Sequence, residues 1–456
     1  MYLHLRTLLC TLLAIAIVSA ALTQCHPNAQ GADETPQAAR LSNTSRIAGV
    51  SRGVPALIKP SGDTKDQVLR YGLGLIFQVA PRTAAASCNI RTVGAGHWDF
   101  EDGSDVVVFD DIATIARQKR IAIARNEEDR DLATGRKRIA VNYPVFVGFV
   151  PLAAKRPDGS AHPGAGTGFG ISHALCFELN DQGFFTWDQT PREHRYCVRQ
   201  FAYDGHEFRV VKTDKKSAGK PLKIADGTWA ITAPGMSAAI PDGDDLLLAV
   251  SANDGTREIA GVSRWRRRQG DWAPVAFYGV SDGVEPSLVR DIDGSLLYSV
   301  RGTDREGQAV RVWRSADSGR NWEQVLHVPT LRSDAPVVLN QAADGTAYLA
   351  ANHPDSFRAK LCLWPLNAQR TSCGPAIVAC DCVGEFGPPP EGTTWFADHP
   401  MATTVQLADD RWHDLLGYRV MAFSTKGVGG EKLTPRTGCY IEEVFSTAPA
   451  RPTWQF

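Results

Sequence analysis

The sequence carries almost no net charge. Its 49 lysines and arginines stand against 50 aspartates and glutamates, leaving −1, so no global field favours nucleic acid or an anionic membrane. The short basic run Arg264–Arg268 reads as a solvated turn. Beyond the N-terminal segment no apolar run is long enough for a membrane helix, and no long amphipathic helix pattern is present. No second Cys pair or His pair stands at zinc-ligand spacing, and no loop follows a calcium-binding pattern. The Gly-rich stretch Gly164–Gly170 lacks the strand-to-helix context of a phosphate loop. No cofactor and no metal is implied.

What is there begins with an export signal. Arg6 gives a positive start, Leu8–Leu22 an apolar stretch too short to span a bilayer comfortably, and Val18-Ser19-Ala20 a cleavage site. Residues 1–25 are read as a signal peptide. Leu22-Thr23-Gln24-Cys25 resembles a bacterial lipoprotein box, with Gln24 where a small residue is usual. A lipid at Cys25 and a free secreted or periplasmic protein both remain open. Residues 26–45 are polar and read as a flexible tether. Residues 46–456 form the folded part, and large β folds often spend this many residues on one domain.

Of ten cysteines, eight remain after Cys10 and Cys25. An even number in an exported chain suggests disulfides. Cys176/Cys197 and Cys362/Cys373 are each close enough in sequence to staple a hairpin, and Cys380-Asp381-Cys382 reads as disulfide chemistry in preference to metal.

The chain repeats itself. Asp-Gly turns occur at Asp242, Asp293 and Asp344, two intervals of 51 residues, and Asp409-Asp410 follows after 65. Apolar, strand-like runs flank each, which is a hairpin pattern. A period near 50 with several strands per unit predicts an all-β fold, a β-propeller.

Between two such turns lies Ser315-x-Asp317-x-Gly319-x-x-Trp322. Ser and Asp side chains bond local backbone N–H groups, Gly319 takes a positive φ, and Trp322 anchors the turn between strands. Degraded copies are RWRRRQGDWAPV, where Trp272 matches Trp322, and RQFAYDGHEFRVV near Phe208. This motif resembles the Asp box of the sialidase superfamily, the bacterial neuraminidase repeat. The resemblance covers roughly residues 140–456 and implies a six-bladed propeller. Four blades surround the turns above, a fifth is expected over 137–170, and the sixth lies in 50–130 or is shared between the two ends.

In a propeller the innermost strands begin at one mouth of the channel. Counting back from the hairpin turns places Glu285, Asp334, and Asp398 with His399 at a common rim. The stretch GVEPSLVRDIDGSLLYSVR resembles a sialidase segment with a Glu before the inner strand and an Arg ending the next. The resemblance implies Glu285 as general base for a tyrosine nucleophile and Arg301 as part of an arginine clamp on a substrate carboxylate. A cross-strand ion pair accounts for the same two residues. Arg138 is the candidate first clamp residue, although Arg138-Ile139-Ala140 lacks the family's Pro. Arg332, beside Asp334, is another. Tyr440 and Tyr418 lie where the family places its tyrosine, and each also fits a core position. Asp398 is a general-acid candidate by position. His399 fits a general base or sugar ligand, or a turn before Pro400.

Three functions fit. The first is an exported glycoside hydrolase acting on a terminal sugar, with exo-sialidase activity the finer expectation. The second is a non-catalytic propeller binding a glycan or protein. The third is a structural envelope protein. A hydrolase requires two carboxyl groups or a Tyr/Glu pair across the rim at about 5–10 Å.

Overall fold

The computed structural model describes residues 47–50, 68–93, 103–125, 127–130, 135–142, 146–156, 158–178, 193–216, 222–224, 227–301, 309–332, 335–424, 431–432 and 434–446.

 Six antiparallel sheets follow one another along the chain, and each contributes its first strand to a central channel. The fold is a six-bladed β-propeller. Residues Asn43–Phe456 make one compact unit.

Blade 1 comprises Val68–Ala80, Thr83–Val93, Gly103–Phe109 and Arg120–Arg125. In blade 2 the inner edge is split into Lys137–Asn142 and Phe146–Val150, both paired with Thr167–Glu178; Glu193–Tyr203 and Phe208–Lys216 follow. Blade 3 is split likewise, with Ala230–Pro234 and Ile240–Asp242 on Asp245–Asn253, then Glu258–Arg268 and Asp271–Ser281. Blade 4 is Val284–Arg290, Leu296–Arg301, Ala309–Ser315 and Glu323–Arg332. Blade 5 is Val338–Gln341, Ala347–Asn352, Lys360–Pro365 and Ile377–Asp381. Blade 6 joins Thr393–Gln406, Trp412–Ser424 and Gly438–Ser446 to Ile47–Val50 from the other end of the chain. Both expected locations for the sixth blade are therefore used: 68–125 forms a blade, and 47–50 closes the ring.

The second strand of each blade is packed on both faces by neighbouring blades, which explains its continuous apolar run. Asp245–Asn253 (DLLLAVSAN) and Ala347–Asn352 (AYLAAN) are buried almost throughout. The inner strands are also tied blade to blade. Leu288 N donates to Ser237 Oγ at 2.9 Å and Leu339 N to Ser287 Oγ at 3.0 Å, the same bond one repeat later. Gln78 and Gln406 exchange two bonds, of 2.8 and 2.9 Å, where the last blade meets the first.

The Asp box forms a clip between the third and fourth strands of blade 4. Gly319 N donates to Ser315 Oγ at 2.9 Å, Asn321 N to Asp317 Oδ1 at 2.9 Å, and Trp322 Nε1 to the Gly319 carbonyl at 2.8 Å. The bonds from Asn321, backbone first, draw the Asp317 carboxyl down to about 2. Ser318 and Gly319 are left-handed, at φ 60° and 85°; Gln269 and Gly270 repeat this at 51° and 91° in the degraded copy of blade 3.

The two hairpin staples do not form. Strand register pairs Cys176 with Glu193 and Cys197 with Ser172. That sets the two cysteines four positions apart along adjacent strands, about 13 Å at the usual rise per residue and beyond disulfide reach. Cys362 and Cys373 are free thiols: Cys362 pairs with Ala351 and Val378, and Cys373 bridges to Leu366. Cys380 and Cys382 are also free, with their sulfurs 3.8 Å apart. The signal segment, the tether and Cys25 lie outside the described residues.

Candidate functional site

Strands alternate direction across each blade, so the starts of the inner strands and the connections between second and third strands share one mouth. Two inner strands are distorted there in the same way. In blade 4 the pairing register shifts between Val284 and Ser287, and in blade 6 between Asp398 and Met401. The displaced residue is Glu285 in one and His399 in the other. Each is left-handed, at φ 54° and 51°, and each directly precedes a proline, Pro286 or Pro400. Such backbone costs on the order of 1–3 kcal/mol for a non-glycine residue. Blade 3 has Gly235 at this level. A Cβ there would sit 2.3 Å from the Pro286 carbonyl oxygen, which accepts Met236 N at 2.7 Å.

Glu285 is half-buried and accepts a hydrogen bond from Arg301 Nη1 at 2.8 Å across the hairpin. The pairing expected from the sequence is present, and its geometry serves a cross-strand tie and a substrate-facing carboxylate equally.

Asp398 is fully buried. Arg419 Nε donates to Oδ1 at 2.6 Å and Arg358 Nη1 to Oδ2 at 3.0 Å, while His399 Nδ1 approaches Oδ1 at 3.2 Å. Burial works to raise this carboxyl, but the charges of Arg419 and His399 overcome it and hold it well below the usual carboxylate range. A group so firmly ionised is a poor proton donor; its place is to orient His399 and the two arginines.

Tyr440 is not brought to Glu285. It stands on the third strand of blade 6, stacked on Tyr418 at 5.4 Å, and its hydroxyl donates to the Arg436 carbonyl at 2.7 Å. Burial, with Cys380 nearby, pushes the phenol up to about 12. Tyr418 donates to Glu442 Oε1 at 2.9 Å, a tyrosine–carboxylate pair, but both are buried in the cluster between blades 5 and 6. Burial first, then Cys380 and Glu442, drive the Tyr418 phenol far above its ordinary value. Neither phenol is poised to ionise. Arg138 and Arg332 lie in strands, Lys137–Asn142 and Glu323–Arg332, but their side chains are outside the described residues, as is Asp334.

The channel also holds a cavity of about 130 Å³ that sequence reasoning missed. Phe77, Phe149, Leu288, Asn340, Thr404 and Trp412 are among its lining residues. All but Trp412, which begins the second strand of blade 6, lie in the halves of the inner strands nearer the hairpin turns, beyond Glu285 and His399 along those strands. The cavity's only signal in the sequence was the small and polar residues ending successive inner strands. Among the described residues no cluster of three or more His, Cys, Asp or Glu side chains is arranged to hold a metal.

Ring, repeat and clip together make this chain a six-bladed β-propeller with an Asp-box turn. Residues 210–373 match the family model of the BNR repeat-like domain. No curated protein matches the chain. Among solved structures it is similar to the K499G mutant of NanB sialidase from Streptococcus pneumoniae, at 10% identity over 85% of this chain and 70% of that one, TM-score 0.47. It is similar also to Penicillium chrysogenum α-L-arabinanase, at 10% identity over 87% and 98%, TM-score 0.48. An α-L-arabinofuranosidase of Fusarium graminearum gives 12% identity over 87% and 98%, TM-score 0.44.

Proposed function

We propose that this chain is an exported glycoside hydrolase acting on a terminal sugar of a glycan at the mouth marked by Glu285 and His399. The observation that carries the reading is the paired distortion. Two inner strands each hold an ionisable side chain in a costly left-handed conformation at the same mouth, and such strain collects at functional sites. Glu285 acts as general base on the attacking water. His399, oriented by Asp398, donates a proton to the leaving oxygen. The C–O bond to the aglycone breaks as the bond to water forms, a single displacement with inversion. The resemblance of the Ser315–Trp322 turn to the Asp box of sialidases makes sialylated glycans the first substrates to test.

The test is release of a terminal sugar from sialylated and neutral oligosaccharides, followed by mass spectrometry. Glu285→Gln and His399→Ala should each lower kcat/KM by about 100-fold or more, and NMR should show the inverted anomer as first product. Turnover unaffected by both substitutions overturns the assignment. A second reading, a non-catalytic glycan-binding propeller, draws on the sequestration of Asp398, Tyr418 and Tyr440. Binding without turnover by the unaltered protein would establish it.

A further inference from the structure

We infer that Phe357, backed by Phe396, Phe423 and Arg358, is a stacking platform for a sugar ring of the glycan held at this mouth. The inference rests on the glycan reading above and adds where, and by what chemistry, a second part of that glycan is gripped.

Phe357 lies in the connection between the second and third strands of blade 5, at the same mouth as Glu285 and His399. Phe357 is 53% exposed. Exposure alone says little, but this residue is not on a loose loop. Its backbone is left-handed, φ 52°, an arrangement a bulky residue keeps only where its surroundings enforce it. The surroundings do so. The buried Asn352 amide donates to the carbonyls of Arg358, Lys360 and Ala397, at 3.2, 3.1 and 2.8 Å, and Ala397 N donates back to the Arg358 carbonyl at 2.7 Å. The turn is thereby tied to the inner strand of blade 6.

Behind the exposed ring is a built support. Phe396 meets Phe357 edge-on, at 5.7 Å and 70°, and stacks on Phe423 at 5.2 Å. The Arg358 guanidinium lies 5.2 Å from the Phe396 ring centre and 5.8 Å from that of Phe357, while holding Asp398 at 3.0 Å. Platform and mouth are thus one contiguous set of contacts: Phe357, Arg358, Asp398, His399.

The electron-poor C–H face of a saccharide ring is attracted to the negative face of an aromatic ring, and a ring already fixed in place loses little entropy when the sugar arrives. The apolar patch is one ring wide and bordered by the His353–Asp355 pair and Arg358. That suits a ring-sized ligand and falls short of the several hundred Å² of apolar surface that mark a protein interface.

The test is titration of the full chain with a panel of sialylated and neutral oligosaccharides. Phe357→Ala should weaken the best-bound member about tenfold, read as Kd or KM, with a smaller change in kcat. Phe357→Trp should keep the affinity, and its indole emission should shift on adding that sugar. Binding by the unaltered protein that Phe357→Ala leaves unchanged overturns the platform and leaves the proposed function standing. Failure of the unaltered protein to bind any member overturns both. A dimer in sedimentation velocity that Phe357→Ala converts to monomer makes Phe357 a contact between copies and overturns the platform.

Discussion

Arg370 of blade 5 closes on Asp291 of blade 4 through two hydrogen bonds, Nε to Oδ2 at 3.0 Å and Nη2 to Oδ1 at 2.7 Å, with both side chains buried. Arg370 is left-handed, φ 63°, in the turn between the third and fourth strands. Ser318 of the Asp box occupies the matching turn of blade 4, and its hydroxyl donates to Asp242 of blade 3 at 3.0 Å. Arg267 of blade 3 reaches the Pro163 carbonyl of blade 2 at 2.7 Å. The outer hairpin of each of these blades grips the first connection of the blade before it. Removing one partner of a buried pair strands the other's charge, so Arg370→Ala should cost about 3–5 kcal/mol in equilibrium unfolding by urea. A cost below about 1 kcal/mol would mean that the contact is incidental.

His413 links three segments of blade 6. Its Nδ1 meets Glu443 Oε1 at 2.8 Å and its Nε2 meets Asp409 Oδ1 at 3.0 Å. Only the imidazolium donates at both nitrogens. Burial disfavours that charge, but the bonds to Glu443 and Asp409 outweigh it and raise the His413 pKa above its ordinary value. A raised folded-state pKa gives stability that is full below the unfolded value, near 6.5, and lost as pH rises through the folded value. Urea midpoints should therefore decline as pH rises above the unfolded value, near 6.5, and His413→Gln should flatten that decline. An equal decline in the variant would place the pH dependence elsewhere.

Much of the architecture was legible because it is local and repeated. The turns at Asp242, Asp293 and Asp344 pair a side-chain acceptor with Gly243, Gly294 and Gly345, all at positive φ, and the 51-residue spacing reappears as the bond from Leu288 N to Ser237 Oγ. The site was legible only where it touches that repeat. Counting from the turns reached Glu285 and His399, but nothing local revealed that Arg358 and Arg419, 40 and 21 residues from Asp398, would lock its carboxyl. The disulfide expectation failed for the same reason: sequence distance between Cys176 and Cys197 carries no register. Position along the chain likewise carried no information on which strand of its blade Tyr440 would occupy; it stands on the third.

The strain at Glu285 and His399 has a thermodynamic signature separable from activity. In an ordinary strand, glycine is less stable than alanine by about 0.5–1 kcal/mol, because it loses more backbone freedom. At a left-handed position the order inverts, since a Cβ there costs roughly 1–2 kcal/mol. Glu285→Gly should therefore be more stable than Glu285→Ala, and His399→Gly more stable than His399→Ala, by up to about 1 kcal/mol. At Val289, in the regular part of the same inner strand, the alanine variant should be the more stable one. All four variants at 285 and 399 should lose glycan turnover alike, because the side chains, not the bend, carry the chemistry. Urea unfolding and sugar release measured on the same preparations check both halves. If alanine proves more stable than glycine at 285 and 399, the backbone there is relaxed and the main support for a functional mouth is gone.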